Sequence, residues 1–309
     1  MVIGTVREIW RYPVKSMRGE RLDCCTVTGS GILGDRGWAL RDDTAGEIRG
    51  GKKWPVLMQC AACYREPPTE TRPCPHADIT LPDGSRIGSD APDVSVRLSQ
   101  LLGGPVSLWP LQPASNKAHY RRRQPGAALI GIVSRSQTFR RLFQTLARYT
   151  SLEAELRRDF SREPDEPIPD LSVFPAELFE FTSPPGTYFD AFPLHLLSTA
   201  SLATMSRINP GAAWDVRRFR PNLLIETAGG SAGLVENQWC GRTLRVGDLQ
   251  LKCELPVPRC GMTTHAQEDL AKDPSVLRTI VRHAGQNLGI YANTSSAGRV
   301  TVGDVVELL

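Results

Sequence analysis

Short strand-like segments alternate with turn signals through the first 125 residues, and this pattern constrains the fold more than any other feature. The segments read GTVREIWRYPV, RLDCCTVTG, GWALRDD, VLMQCAACY, DITLPDG and VSLWPL. Asp83 and Gly84 form a dipeptide typical of two-residue hairpin turns, and they separate apolar residues at 79–81 and 85–87. The pattern predicts a small β-barrel or sandwich in this half of the chain.

The second half of the chain mixes helical and strand patterns. Apolar residues at helical spacing, or capped apolar runs, predict helices at 136–149, 198–209 and 273–284. Residues 222–227 predict a strand, and Gly–Asp turns predict hairpins within 243–255 and 298–309. The Pro- and Asp-rich segment 161–172 predicts a surface loop.

This change of pattern predicts two domains, one over residues 1–125 and one over residues 126–309. A chain of 309 residues is long enough for two such domains, each with its own core. The fold class that follows is mainly β with some helix (α+β). No apolar run approaches the roughly 20 residues that span a membrane, and the N-terminus has no signal-peptide segment. We therefore expect a soluble, cytoplasmic protein.

Charge and cysteine content exclude two classes of protein. The net charge of +4 is too small to indicate nucleic-acid binding, and no recognition helix or aromatic-bearing sheet motif accompanies the arginine clusters. Eight cysteines in a chain of this length do not form a disulfide scaffold. Cys60 and Cys63 have half of a zinc-site spacing, but they lie in an apolar strand-like run and are predicted to be core thiols.

Three glycine-containing segments fit the sequence patterns of known motifs but lack the neighbouring helix or residue that each motif needs. Residues 29–34 fit G-x-G-x-x-G, but a strand pattern follows where a dinucleotide site needs a helix. Residues 46–53 approach a phosphate-binding loop, but Lys53 stands where serine or threonine should hold magnesium. Residues 229–233 fit G-x-S-x-G without a following helix, which favours a turn over a hydrolase nucleophile.

Residues 255–267, LPVPRCGMTTHAQ, place a single cysteine directly after an arginine in a stiff segment. Pro256 and Pro258 fix the backbone and would present Cys260 to a ligand at a fixed angle. Arg259 favours the thiolate, which is the form that binds metals. From these residues alone, Cys260 is either a packed core thiol or a thiolate ligand.

Five stretches in one order give the chain a family resemblance: YPVKSMRGE (12–20), GDRGWAL (34–40), PLHLLSTASLATM (193–205), RFRPNLLIE (218–226) and RCGMTT (259–264). Together they resemble the MOSC family, the molybdenum cofactor sulfurase C-terminal domain preceded by its companion N-terminal domain. The chain is similar to bacterial MOSC proteins and to the mitochondrial amidoxime-reducing components. The resemblance implies an N-terminal β-barrel-like domain and a MOSC β-barrel domain.

The resemblance also implies a set of site residues. Cys260 matches the molybdenum ligand, and Asp190 matches a catalytic aspartate near the metal. The positions implied to contact the cofactor are Lys15, Ser16, Arg36, Ser198, Ser201, Arg218, Arg220, Asn222 and Arg259. The chain departs from the reductases after Asp190, where Ala191 and Phe192 replace small hydroxyl residues. We expect the substrate contacts to differ there.

Two further predictions concern the surroundings of this set. If residues 218–222 are extended, alternation places Arg218, Arg220 and Asn222 on one face of a strand. His195 lies in an apolar run and is predicted to be a core histidine with its hydrogen bonds satisfied.

The function implied by the resemblance is reduction of N-hydroxylated (N–O) substrates by oxygen abstraction at a Cys-ligated molybdenum, with molybdopterin as cofactor. The sequence has no flavin, haem or iron–sulfur motif. Electrons would therefore come from a separate ferredoxin or cytochrome b5-like protein with its reductase. The other expected partner is a small-molecule substrate. We expect no nucleic-acid or membrane partner.

Two alternatives stay open at this level. One is a sulfur carrier or sulfurtransferase with a persulfide on Cys260, and the other is a cofactor-binding protein without turnover. The sequence also leaves pyridoxal phosphate open and offers no motif in its favour.

Overall fold

The computed structural model describes residues 1–123, 151–294 and 296–309, together with Ser136 and Thr138. The helix predicted at 136–149 and the domain boundary predicted at residue 125 lie outside these ranges. The strands of the described chain are β1 (Val2–Arg11), β2 (Glu20–Leu22), β3 (Cys24–Thr28), β4 (Gly31–Ile32), β5 (Trp38–Asp42), β6 (Glu47–Arg49), β7 (Ala61–Tyr64), β8 (Ala77–Thr80), β9 (Arg86–Gly88), β10 (Val106–Pro110), β11 (Leu194–Ser198), β12 (Leu223–Thr227), β13 (Thr243–Val246), β14 (Leu249–Pro258), β15 (Asn287–Thr294), β16 (Gly298–Thr301) and β17 (Val305–Leu308).

Helices occupy less of the described chain than strands do. The α-helices are α1 (Val94–Leu102), α2 (Lys117–Tyr120), α3 (Ser151–Phe160), α4 (Glu177–Glu180), α5 (Thr199–Ile208) and α6 (Pro274–His283). Short 3₁₀ helices lie at Pro55–Gln59, Leu171–Val173, Val216–Arg218, Val235–Trp239 and Gly261–Thr264. Among these described helices, none has the length and apolar character that crossing a membrane requires. The prediction of a mainly β protein with some helix is confirmed.

A closed barrel of seven strands dominates the structure, in the order β1–β12–β11–β15–β14–β13–β17 and back to β1. β11 and β12 run parallel, and the other neighbours are antiparallel. Leu194, Leu196, Ile290 and Ala292 fill the barrel core. Because side chains alternate along a strand, His195 on β11 and its pairing partner Tyr291 on β15 face outwards.

A second core lies beside the barrel, under three-stranded sheets made of β10–β5–β6 and β7–β8–β9. The hairpin predicted at Asp83 and Gly84 joins β8 to β9, with Ile79 opposite Ile87. Helix α1 packs on this core through Val94 and Leu98. The sequence reading missed α1, although its buried residues have the four-residue spacing of a helix face.

The hairpin predicted within 298–309 is wrong. β16 pairs with β3, whereas β17 pairs with β1 and β13. The turn between them bonds to other segments, since Val302 N donates to Asp23 O and Gly303 N donates to Val6 O. A Gly–Asp turn therefore sends the chain from one sheet to another instead of folding it back.

β1 connects the two halves of the sequence. It belongs to the predicted first domain, yet it pairs with β12 and β17 in the barrel. The division at residue 125 stays a prediction, and the barrel is built from both sides of it.

Candidate active site

Segments that follow or precede neighbouring barrel strands meet at one end of the barrel. The segment after β1 contacts the segment before β12, because Tyr12 OH donates to Pro221 O (2.9 Å) and Arg220 Nη1 donates to Met17 O (2.6 Å). Arg259, which follows β14, donates to Phe219 O (2.7 Å). The strand ends therefore bring together motifs that are about 200 residues apart in the chain.

Lys15 and Asp190 form an ion pair at this end. The Lys15 ammonium donates to Asp190 Oδ1 (2.7 Å), Tyr188 O (2.7 Å) and Ser183 Oγ (3.2 Å). Burial lowers the pKa of Lys15, and the attraction of Asp190 does not fully offset this effect. The positive charges of Lys15 and then Arg36 hold the pKa of Asp190 below its usual range. Asp190 therefore stays ionised, while its side chain is 81% exposed.

Two arginines flank the ring of Tyr12. The guanidinium carbon of Arg220 lies 4.2 Å from the ring centroid and that of Arg36 lies 5.1 Å from it, both within cation–π range. Burial lowers the pKa of Arg220 to about 10, which still leaves it charged at neutral pH. The pair presents concentrated positive charge next to Lys15.

The carboxylate of Asp35 contacts several residues around Tyr12. Its carboxylate accepts from the backbone N of Tyr12 (2.8 Å) and from Asn222 Nδ2 (2.9 Å), and it pairs with Arg36. Asn222 also accepts from the backbone N of His195 through Oδ1 (3.1 Å). Asn222 therefore ties strands together and holds Asp35. The sequence reading missed Asp35, whose only signal is its place beside Arg36.

Cys260 follows β14 and begins the 3₁₀ helix Gly261–Thr264. Its carbonyl accepts from the N and Oγ1 of Thr263 (3.1 and 3.0 Å), which fixes its backbone. The thiol is half-buried, and within the described chain its sulfur makes no hydrogen bond. Pro256 and Pro258 lie at register irregularities of β14.

Arg162 donates a hydrogen bond to the residue that precedes Cys260. It donates to Arg259 O (2.9 Å), Phe160 O (2.7 Å) and Gln286 Oε1 (3.1 Å), and only 6% of it is exposed. The prediction that 161–172 is simply a surface loop is therefore incomplete, because it delivers a buried arginine to the site. Burial lowers the pKa of Arg162 to about 10, with Cys260 and then Glu166 opposing this effect.

Left-handed backbone concentrates at the same place. Among the described residues, six other than glycine have positive φ, and three of these are Ser16 (+68°), Arg36 (+51°) and Arg220 (+55°). Such conformations cost free energy and cluster at functional sites. Tertiary contacts thus hold three of the predicted cofactor-binding residues in strained positions.

A glycine pair, Gly50 and Gly51, packs closely against the segments that carry Ser16 and Met262. A Cβ on Gly50 would lie 2.5 Å from Ser16 Oγ, and one on Gly51 would lie 2.5 Å from Cε of Met262. The near-match to a phosphate-binding loop thus marks a close backbone approach, while Lys53 pairs with Asp42.

The strand predicted through Arg218, Arg220 and Asn222 is wrong. Arg218 ends the 3₁₀ helix Val216–Arg218, and the positive φ of Arg220 precedes Pro221, so alternation does not apply. Arg218 is 1% exposed and donates to the carbonyls of Ala213 (2.9 Å) and Ala271 (2.8 Å). Of the two arginines, only Arg220 reaches the Tyr12 group, and Arg218 supports the loop after Cys260.

Ser198 and Ser201 make their contacts elsewhere. Ser198 is the N-cap of α5, and its Oγ accepts from Ser201 N (3.1 Å). The buried carboxylate of Glu236 accepts from Ser198 N (2.6 Å) and from Ser201 Oγ. These contacts give both serines a role at the start of a helix, at the opposite end of β11 from Asp190.

His195 is buried, as expected, but its hydrogen bonds are only partly satisfied. Nδ1 lies 3.4 Å from Arg220 O, whereas Nε2 has no hydrogen-bond partner in the described part of the chain. Burial holds the pKa of His195 well below its usual range, so the ring is neutral.

Among the cysteines, Cys253 packs in the barrel core, Cys25 and Cys60 are buried, and Cys63 is exposed, contrary to its predicted core position.

Comparison with known families agrees with this arrangement of motifs. Residues 3–93 match the MOSC N-terminal beta barrel domain, and residues 185–307 match the MOSC domain. The chain therefore carries a MOSC N-terminal beta barrel domain followed by a MOSC domain.

Individual relatives have low sequence identity to this chain but align over most of its length. Mitochondrial amidoxime reducing component 2 of Bos taurus is 26% identical over 98% of this chain and 83% of its own length. The Homo sapiens protein of the same name is 27% identical over 85% of this chain and 67% of its own. Among solved structures, the YUAD protein of Bacillus subtilis aligns over 99% of this chain and 95% of its own at 10% identity, with a TM-score of 0.42.

Proposed function

We propose that this protein binds a molybdenum–molybdopterin cofactor and reduces N-hydroxylated compounds, with Cys260 as the protein ligand to the metal. The observation that carries the proposal is the position of a half-buried thiol within electrostatic range of Arg162 and Arg259, the second of which also lies within range of Asp190. The names of the sequence relatives, amidoxime reducing components, support the same reaction class.

The residues present fit such a cofactor. A pterin phosphate needs several cations, and the planar fork of arginine suits phosphate oxygens. Arg36 and Arg220 retain donors beyond their bonds to Asp35 and Met17, and in the described chain Ser16 Oγ makes no hydrogen bond. A thiolate suits a metal that the cofactor already binds through sulfur. Arg36, Arg220 and Ser16 would hold the phosphate, and Cys260 would hold the metal.

Other residues of the chain would contact the substrate and fix the position of Cys260. Lys15 keeps Asp190 ionised and oriented, and this exposed carboxylate is placed to accept a hydrogen bond from an N–H of the substrate. Arg162 and Thr263 fix the backbone on either side of Cys260. When bound, the cofactor supplies two-electron redox chemistry and an acceptor for the substrate oxygen.

The reaction consumes two electrons and two protons for each N–O bond broken. An amidoxime becomes an amidine, and its oxygen leaves as water. The electrons come from a separate ferredoxin or cytochrome b5-like protein with its reductase. Asp190 lies at the solvent-exposed side of the site, where protons reach the substrate from water.

Metal and pterin analysis of protein from a host that makes the cofactor tests this proposal. We expect about one molybdenum and one pterin per chain. In Arg220→Ala we expect less of both, because a charged hydrogen bond to phosphate contributes roughly 1.5–3 kcal/mol. Folded protein that contains neither component would contradict the proposal, and a stable persulfide on Cys260 in the same sample would favour a sulfur carrier.

A further inference from the structure

Phe192 and Tyr291 form an aromatic wall beside Asp190. Their ring centroids are 5.2 Å apart with planes tilted by 31°, and both side chains are half-buried. Phe192 is two residues from Asp190 in the sequence. Both rings keep part of their surface accessible beside a charged group, where a ligand can contact them.

Tyr291 places this wall next to the reactive groups. It stands on β15 opposite His195, with the ring centroids 6.1 Å apart. Its hydroxyl makes no hydrogen bond to any described residue, although it lies within electrostatic range of Asp190, Arg259 and Cys260. The hydroxyl end of the wall therefore lies near both the carboxylate and the thiol.

Phe174 braces the wall from behind. Its ring meets Tyr291 edge-on at 6.4 Å, and it is 8% exposed. Tyr291 is thus held between a buried ring and the half-exposed ring of Phe192. A fixed pair of rings loses little conformational entropy when it binds a flat ligand, which favours stacking over a loose apolar contact.

We propose that the aromatic wall selects substrates in which an aromatic ring is attached directly to the N-hydroxylated group, and that Phe192 is the residue that determines this specificity. The ring of such a substrate stacks against Phe192, while Asp190 accepts from the N–H beside the N–O bond. An alkyl substrate keeps the contact with Asp190 and loses the stacking. This inference rests on the proposed reductase function.

Two substrates that differ only in this feature test the inference. With molybdenum-loaded protein and reduced viologen as donor, we expect benzamidoxime to be preferred over acetamidoxime in kcat/KM. Phe192→Ala is expected to lower that ratio about three- to tenfold, which is the range of an aromatic pair beyond its buried area. Phe192→Tyr keeps the ring and should restore the ratio to within about twofold of wild type.

Equilibrium binding gives a second readout that does not depend on turnover. Benzamidine and acetamidine correspond to the two products. We expect Phe192→Ala to weaken benzamidine binding by the same factor and to leave acetamidine binding unchanged. The matched control is Phe174→Leu, which touches the same tyrosine from its buried side and should lower the ratio less than Phe192→Ala does.

The outcomes separate this inference from the proposed function. An unchanged ratio in Phe192→Ala, or an equal fall in Phe174→Leu, overturns the specificity role while turnover continues. Loss of pterin from Phe192→Ala also overturns it, because the ring then holds the cofactor. Absence of molybdenum from the wild-type protein contradicts the proposed function itself.

Discussion

Arg218→Ala should destabilise the fold strongly, although the residue lies in a motif that the family resemblance assigns to the cofactor. The guanidinium is buried under the loop that follows Cys260. It donates to the carbonyls of Ala213 (2.9 Å) and Ala271 (2.8 Å), and it makes longer contacts with those of Thr263 (3.5 Å) and His265 (3.4 Å). Truncation removes these donors and leaves buried acceptors without partners.

The size of the effect follows from the two short bonds. A hydrogen bond from a charged donor contributes about 1.5–3 kcal/mol, so the loss of two predicts a decrease of about 3–6 kcal/mol in the free energy of unfolding. That is a large share of the roughly 5–15 kcal/mol that holds a typical domain folded. Chemical denaturation followed by fluorescence or circular dichroism measures the decrease directly.

Arg217→Ala is the matched control. Arg217 pairs with Asp215, Glu268 and Asp269 at the surface, and such pairs contribute about 0–1 kcal/mol each because solvent screens them. We expect a much smaller change than in Arg218→Ala. A wild-type denaturation midpoint for Arg218→Ala, together with reduced molybdenum content, would refute the structural role and restore the cofactor role.

Three further predictions concern residues around the site. Asp35→Asn removes the charge that holds Arg36, so molybdenum per chain should fall several-fold while the fold remains, and unchanged metal content would contradict this. Ser198→Ala should cost about 1 kcal/mol of stability as the loss of a helix N-cap, with metal content unaffected. Because Lys15 holds the pKa of Asp190 below its usual value of about 3.9, the charged form stabilises the fold above about pH 4, and this contribution disappears as the pH falls. Asp190→Asn should therefore be less stable than wild type near neutral pH and converge with it in acid; a constant difference across the pH range would contradict the assignment.

Local patterns predicted the elements whose character is set by nearby residues. The hairpin at Asp83 and Gly84, strand β12 and helix α6 were all predicted from alternation, turn chemistry or helical spacing. The partners of β16 and β17 could not be predicted this way. Strand pairing depends on which backbone groups meet in space, and Asp23 and Val6 are far from this turn in the sequence.

The site shows the same limit more sharply. Cys260 and Arg220 are marked by their motifs, but Arg162 lies in a Pro- and Asp-rich loop that reads as exposed. The guanidinium of Arg162 is buried, and it donates a hydrogen bond to the carbonyl of Arg259, 97 residues away in the sequence. Arg218 was misplaced for a related reason, since alternation assumes a strand where the chain forms a 3₁₀ helix. Long-range hydrogen bonds that override local conformation leave little trace in a single sequence.

Cys260→Ser is the most direct test of the central claim that this cysteine is the metal ligand. Serine is nearly isosteric but is a harder and poorer donor for a sulfur-bound metal. Cys253→Ser is the control, because Cys253 packs in the barrel core. The measurement is reduction of benzamidoxime per bound molybdenum, driven by reduced viologen. We predict that turnover collapses in Cys260→Ser and persists in Cys253→Ser. Wild-type turnover per molybdenum in Cys260→Ser would contradict the account.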